Sequence, residues 1–231
     1  MTPNPKVSIV VFEMNEIDGM RAMMPQIDPS WYDELVVVDG GSTDGTLEYC
    51  REHGYDVFVQ SAKGVGAAMN EGVKRVTGEI VIIYAPDGSF LVDRIPVMIE
   101  KLKAGYDLVN VTRYGFGARS ADDTIFTGTA NWLFTRFVNL FFGRKFPFTD
   151  FLYTYLGFRR SLLADVGHDT NLMTWGQLLL LRTINNGFRI VEIPGNEPAR
   201  IGGAVKVPKL KGAWYITLAI LSEFFAPTRP K

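Results

Sequence analysis

The sequence predicts an α/β fold: a mostly parallel sheet flanked by helices. Short β-branched apolar runs alternate with helical patterns through residues 7–112, the rhythm of parallel strands joined by right-handed helical crossovers. The run IVIIY at 80–84 is unbroken, as a strand buried on both faces of a parallel sheet requires. Two runs also stop abruptly at an aspartate beside glycine, VVVDGG at 36–41 and IIYAPDG at 82–88. Those carboxylates belong just past the carboxyl ends of strands, the edge where open α/β sheets bind ligands.

In chain order, residues 7–12 form a strand and 16–24 a helix. Residues 35–39 are a strand, and Thr43-Asp44 caps a helix running to about His53. A strand at 56–60 precedes a helix at 66–76 with small residues on one side. The central strand 79–84 is followed by a helix at 94–104 and a strand at 107–112. After Arg113 the rhythm changes, with a glycine-rich polar loop at 114–123. Residues 125–143 then give a long helical pattern in which Asn131, Thr135 and Asn139 form a narrow polar stripe among apolar residues. Such a helix is either deeply packed or partly turned to lipid. Irregular strand-like aromatic segments at 148–159 lead to a helix at 175–186, closed by Gly187, and a strand at 189–193. Residues 199–212 are a basic loop carrying Arg200, Lys206, Lys209 and Lys211, with no acidic residue between Glu197 and Glu223. An apolar helix at 213–225 and a frayed end at 227–231 complete a chain with no internal repeat or linker, read as one domain.

With 21% charged residues and a mean hydropathy of +0.06, the 231-residue chain is an ordinary folded protein. Its net charge of −1 gives no electrostatic case for nucleic acid. Cys50 is the only cysteine, so no internal disulfide forms and an intracellular, cytoplasmic setting is expected. The polar N-terminus leads into the first strand without the pattern of a signal peptide. No apolar run reaches the ~20 residues needed to span a bilayer. The nearest, 213–226, contains Glu223. A soluble or peripheral protein is expected.

Asp39 can accept hydrogen bonds from a base or ribose, although a strand–turn–helix junction uses the same residues. Lys63-Gly64-Val65-Gly66 opens the helix containing Asn70, and glycines there suit close approach to phosphate. The segment is neither a P-loop nor a full dinucleotide fingerprint. Asp87 alone reads equally as a turn aspartate.

Taken in order, the motifs resemble family 2 glycosyltransferases of the GT-A, Rossmann-like fold, particularly the dolichyl- or polyprenyl-phosphate sugar transferase branch. VSIVVFEMNE (7–16) is similar to the family's opening strand and Asn-Glu pair, and LVVVDGGSTDGT (35–46) to its Asp-Asp-Gly-Ser signature. KGVGAAMNEGVKRVTGE (63–79) resembles its glycine segment, and APDG (85–88) occupies the place of the metal-binding Asp-x-Asp. VTRY (111–114), FTDFLYTYLGFRR (148–160) and RIGGAVK (200–206) resemble its Ser-Arg-Tyr, Val-Thr-Asp…Gly-Phe-Arg and Arg-x-x-Gly-x-Ser-Lys motifs.

The resemblance implies a nucleotide-sugar-binding half at 1–112 and an acceptor-side half, with its helices, at 113–231. It implies that Phe12, Glu13, Glu16, Asp39, Gly64, Gly66 and Asn70 surround the nucleoside of a UDP- or GDP-sugar. It makes Asp87 ligand to a weakly bound divalent cation, Mg2+ or Mn2+, and Arg113, Arg200 and Lys206 the cations that offset phosphate charge. The implied acceptor is a polyprenyl phosphate at the inner face of a membrane. The alternatives are a soluble or polysaccharide hydroxyl with Asp150 as general base, or a nucleotide-binding pseudoenzyme. The chain departs from the family at Ala85, where a second metal carboxylate usually stands. It departs also at Gly40, Phe12-Glu13, Gln177 and Val205.

Overall fold

The computed structural model describes residues 4–121, 123–202 and 209–226. Seven strands form one sheet in the order β3-β2-β1-β4-β6-β5-β7. They are β1 (Val7–Glu13), β2 (Glu34–Asp39), β3 (Asp56–Val59), β4 (Ile80–Tyr84), β5 (Leu108–Thr112), β6 (Leu156–Arg159) and β7 (Ile190–Pro194). The helices are α1 (Ile17–Met23), α2 (Thr46–Glu52), α3 (Val65–Arg75), α4 (Arg94–Lys103), α5 (Ile125–Phe142), α6 (Ser161–Asp165), α7 (Trp175–Asn185) and α8 (Lys209–Phe225).

Every strand pairing is parallel except those of β6, which runs antiparallel between β4 and β5. The sheet is therefore mostly parallel, as the strand–helix rhythm predicts. Alternate residues serve two cores, as the two-residue period of a strand requires. Ile9, Val11, Ile82 and Tyr84 meet α1, α2 and α4 on one face. Val10, Val38, Val81 and Ile83 meet α3, α5 and α7 on the other. The small face of α3 lets the helix close on the sheet, since a side chain at Gly72 would fall 2.4 Å from Val10 Cγ1.

Some elements differ from the sequence reading. Only the last four residues of 148–159 form a strand. In the preceding segment the backbone N–H groups of Thr149 and Asp150 donate to Glu192, and those of Leu152 and Tyr153 donate to Asp150 Oδ1. Side-chain acceptors thus replace a strand ladder there. Helix α8 begins at Lys209, so Lys209 and Lys211 belong to a helix and not to a loop. Asp44 accepts from Thr46 N–H as predicted, but Gly45 occupies the cap position of α2. Gly187, at φ +71°, closes α7 as its spacing predicts.

The chain runs from β1 to β2 and β3 on one side of the sheet, then crosses to β4 on the other side of β1. The carboxyl ends of β1 and β4 therefore flank a topological switch point, where such sheets open a crevice.

Candidate active site

Three clusters of charged side chains gather at or beside that edge. The first joins β1 to β2, whose last residues, Glu13 and Asp39, are register partners. Asp39 has no exposed surface, and its Oδ1 accepts from the backbone N–H groups of Gly41 and Ser42 at 2.6 and 2.8 Å. Glu13 is buried, accepts from Ser42 Oγ at 3.1 Å and hydrogen-bonds the Asp39 carboxyl. Desolvation, reinforced by that bond to Asp39, pushes the Glu13 carboxyl up to about 9. Desolvation also opposes ionisation of Asp39, yet bonds from Glu13, Ser42 and Gly41 outweigh it and hold Asp39 below the usual carboxylate range. The pair therefore shares one proton at neutral pH, with Glu13 the donor. Phe12, half-buried beside it, packs against both cores.

The second cluster is built around the turn after β4. Gly88 takes φ +86°, a left-handed value that glycine adopts without strain. Asp87 Oδ1 accepts from Ser89 N–H at 3.0 Å and Ser89 Oγ at 2.6 Å. Its other oxygen, Oδ2, lies 2.8 Å from Arg200 Nη1. Arg200 Nη2 donates to Glu16 Oε1, and Nε to Gly202 O at 3.3 Å. Helix α1 presses onto this turn through Gly19, where a Cβ would fall 2.2 Å from Pro86 O. Ile201 N–H donates to Asp87 O at 2.8 Å. Sequence positions 16, 87 and 200 thus converge on one guanidinium.

The third cluster is buried just past the end of β5. Arg113 Nε and Nη2 donate to Asp150 Oδ2 and Oδ1 at 2.7 and 3.2 Å, and Nη1 donates to Glu197 Oε2 at 3.0 Å. The guanidinium lies against the rings of Tyr114 and Tyr153, 5.0 and 4.8 Å from their centroids. Burial opposes the charge on Arg113, but the bonds and attraction of Asp150 and Glu197 outweigh it and raise its pKa further. Asp150 has no exposed surface, and Arg113 and backbone N–H groups occupy its two oxygens. The second and third clusters are linked, because Tyr153 Oη donates to Ser89 O at 2.6 Å.

The remaining sequence candidates stand apart. Asn70 donates to Asp169 and Asn171, at 2.9 and 2.8 Å, and so ties α3 to the segment before α7. Gly66 seals the same seam, since a Cβ there would fall 1.9 Å from Leu172 O. Gly64 caps α3 at φ +110°. Lys206 lies outside the described residues. Glu197, Ser89 and Tyr153 join these clusters without any signal in the sequence reading. Glu197 follows no motif, and its partner is 84 positions away.

No group of three or more His, Cys, Asp or Glu side chains is arranged to hold a metal ion among the described residues. A divalent cation of the magnesium or calcium kind takes six or more oxygen ligands. In the turn after β4, Asp87 offers Oδ2, which is bonded to Arg200. That donor set fits a cation carried in on a diphosphate and completed by phosphate and water oxygens, with Asp87 as one ligand.

The strand order and the acidic carboxyl edge define a GT-A glycosyltransferase fold. The signature of "Glycosyl transferase family 2" matches residues 27–167. The chain belongs to that family and is a glycosyltransferase. An uncharacterized glycosyltransferase from Mycobacterium tuberculosis is 31% identical over 87% of this chain and 89% of its own length. The dolichyl-phosphate hexose transferase of Haloferax volcanii is 27% identical over 90% of this chain and 89% of its own. Among solved structures, glucosyl-3-phosphoglycerate synthase from M. tuberculosis, in complex with Mn2+, UDP and phosphoglyceric acid, superposes with a TM-score of 0.74. It shares 19% identity, covering 97% of this chain and 80% of that one.

Proposed function

We propose that this protein is a single-domain hexosyltransferase that moves a sugar from a UDP- or GDP-sugar to a polyprenyl phosphate at a membrane surface. The acceptor reading rests on one observation, the inverted amphipathicity of α5 and α8. On α5 the polar stripe faces inward: Asn131 bonds Tyr114 Oη, Thr135 accepts from Phe151 N–H, and Asn139 bonds both backbone groups of Phe148. Its exposed side carries Trp132, Leu133, Phe137 and Leu140, the last 78% exposed. On α8 the buried Glu223 pairs with Arg182 at 2.8 Å, while Trp214, Tyr215, Leu218, Phe224 and Phe225 face outward. Rings at 137, 141, 224 and 225 form a continuous string with centroids 5.1, 4.9 and 5.2 Å apart. An exposed apolar patch of this kind is what a peripheral protein lays into a lipid surface. No helix among the described residues is long and apolar enough to cross a membrane. The names of the dolichyl- and undecaprenyl-phosphate transferases among the relatives support the same acceptor. The protein then works peripherally on the cytoplasmic face.

On this reading the nucleoside sits over the carboxyl ends of β1 and β2, beside Phe12, Glu13, Glu16 and Asp39, while Gly64, Gly66 and Asn70 serve the packing of α3 and do not line it. Arg200 and Lys206 offset the charge of the diphosphate, and Asp87 is one ligand to a weakly held Mg2+ or Mn2+. When bound, such a cation neutralises charge on the departing diphosphate. An acceptor phosphate is already ionised at neutral pH. Its oxygen attacks the anomeric carbon, the bond to the diphosphate oxygen breaks with its electron pair, and the single displacement inverts the centre. No general base is needed, which agrees with the burial and full engagement of Asp150. Arg113 acts as a positioning residue that ties Asp150 to Glu197.

Transfer assays with UDP- and GDP-sugars, against polyprenyl phosphate in vesicles and against soluble hydroxyl acceptors, test the proposal. Product in the vesicle arm alone is expected, and turnover confined to soluble hydroxyls would sink the lipid reading. Asp87→Ala is predicted to lower kcat/KM at least about 100-fold, the scale of losing a transition-state charge partner. Unimpaired turnover in that variant removes Asp87 from the mechanism.

A further inference from the structure

Asp87 has one oxygen facing the crevice, and two claimants need it. Ser89 takes Oδ1 through both its backbone N–H and its hydroxyl, so only Oδ2 is left for a ligand. Arg200 Nη1 holds Oδ2 at 2.8 Å, while the other arm of the same guanidinium is on Glu16. A guanidinium is planar and presents its donors as a fork, which suits two carboxylates here and phosphate oxygens equally well. The three side chains carry a net charge of −1, so the closed cluster still attracts cations. Yet no carboxylate oxygen of Asp87 remains for a cation until the guanidinium leaves. The substitution of Ala85 for a second carboxylate sharpens the competition, because a cation has no alternative ligand at that position.

We infer that Arg200 is an exchangeable counter-ion: it holds Asp87 and Glu16 until a cation–nucleoside diphosphate complex takes Asp87 Oδ2, and the released fork then grips the phosphates. The two events are one exchange. The diphosphate supplies the oxygens that the protein lacks for the cation, and it supplies the acceptor that Arg200 needs once it leaves Asp87. Metal binding therefore requires nucleotide. The backbone favours a swing of the side chain over movement of the strand turn, because Ile201 N–H stays anchored on Asp87 O at 2.8 Å. Arg200 is itself only partly buried, with a quarter of its side chain exposed, so the fork can rotate without breaking the core.

The inference rests on the reading of this edge as a nucleoside-diphosphate site, and Mn2+ titrations by electron paramagnetic resonance separate the two. Wild-type protein is expected to bind Mn2+ at least about tenfold more tightly with UDP or GDP present than without, the scale of one charge-assisted bond gained or lost. Arg200→Gln is expected to bind Mn2+ without nucleotide about tenfold more tightly than wild type, and to bind the nucleotide about tenfold more weakly. Adding Asp87→Asn to that variant is expected to abolish the gain in Mn2+ affinity. Should Arg200→Gln fail to fold, Arg200→Lys keeps the charge but loses the fork that spans Asp87 and Glu16, and is expected to shift Mn2+ affinity in the same direction by a smaller factor. Nucleotide-free Mn2+ affinities within twofold of wild type in the folded variants overturn the exchange. Absence of UDP and GDP binding at every Mn2+ concentration overturns the donor site instead.

Discussion

At neutral pH Glu13 keeps its proton because burial disfavours its charge and Asp39, ionised one strand away, accepts its hydrogen bond. Unfolded, the same carboxyl ionises near 4.5, while in the folded protein it does so at about 9. A carboxyl with a raised folded pKa stabilises fully below the unfolded value, and that stability drains away as pH climbs toward the folded one. Glu13→Gln keeps the size of the side chain and a donor for Asp39 but does not titrate. Thermal melts of the variant and wild type should therefore diverge in the variant's favour between pH 5 and pH 8. Parallel melting curves across that range would show that Glu13 is ionised when folded. Asp39 is legible in the sequence as the residue at which a β-branched run stops, whereas Glu13 enters only through the family resemblance. Their shared proton is not legible there, because it depends on the register that sets residue 13 opposite residue 39.

Helix α5 shows what a one-dimensional pattern conveys and where it stops. The spacing of Asn131, Thr135 and Asn139 announced a polar stripe, yet the same spacing serves a stripe facing water or one facing the protein. The direction is set by backbone groups at Phe148 and Phe151, which need partners in a segment without a strand ladder. The bounds and pairing of strand β6, expected only as irregular strand-like segments over 148–159, are hidden for a similar reason. The strand is four residues long, contains Gly157, and pairs antiparallel with β4 more than 70 positions away. Since Leu140 is 78% exposed, Leu140→Glu should leave stability within about 0.5 kcal/mol of wild type. It should also cut co-sedimentation with anionic lipid vesicles, more so when combined with Leu133→Glu. Unchanged co-sedimentation of the stable double variant would remove α5 from the membrane surface.

Over the whole molecule, two cores share one sheet, and the charged clusters lie along one of its edges, so pH acts on stability from both sides. On the acid side the group to follow is His168, buried edge-on to Trp175 with ring centroids 4.5 Å apart. Neither ring nitrogen meets a hydrogen-bond partner among the described residues. Desolvation, with Arg182 nearby and only Asp169 opposing, pulls its pKa down from 6.5 to about 3. The unfolded chain therefore takes up a proton below pH 6.5 that the folded chain refuses until about 3. Stability from this site is full above the unfolded pKa and falls as pH drops, by about 2 kcal/mol at pH 5. His168→Phe keeps a ring against Trp175, gives up no protein hydrogen bond from the side chain and does not titrate. Denaturant melts should find the variant close to wild type at pH 8 and more stable by about that 2 kcal/mol at pH 5. A difference that stays constant between the two pH values would mean that His168 is protonated as readily in the folded protein as in the unfolded chain.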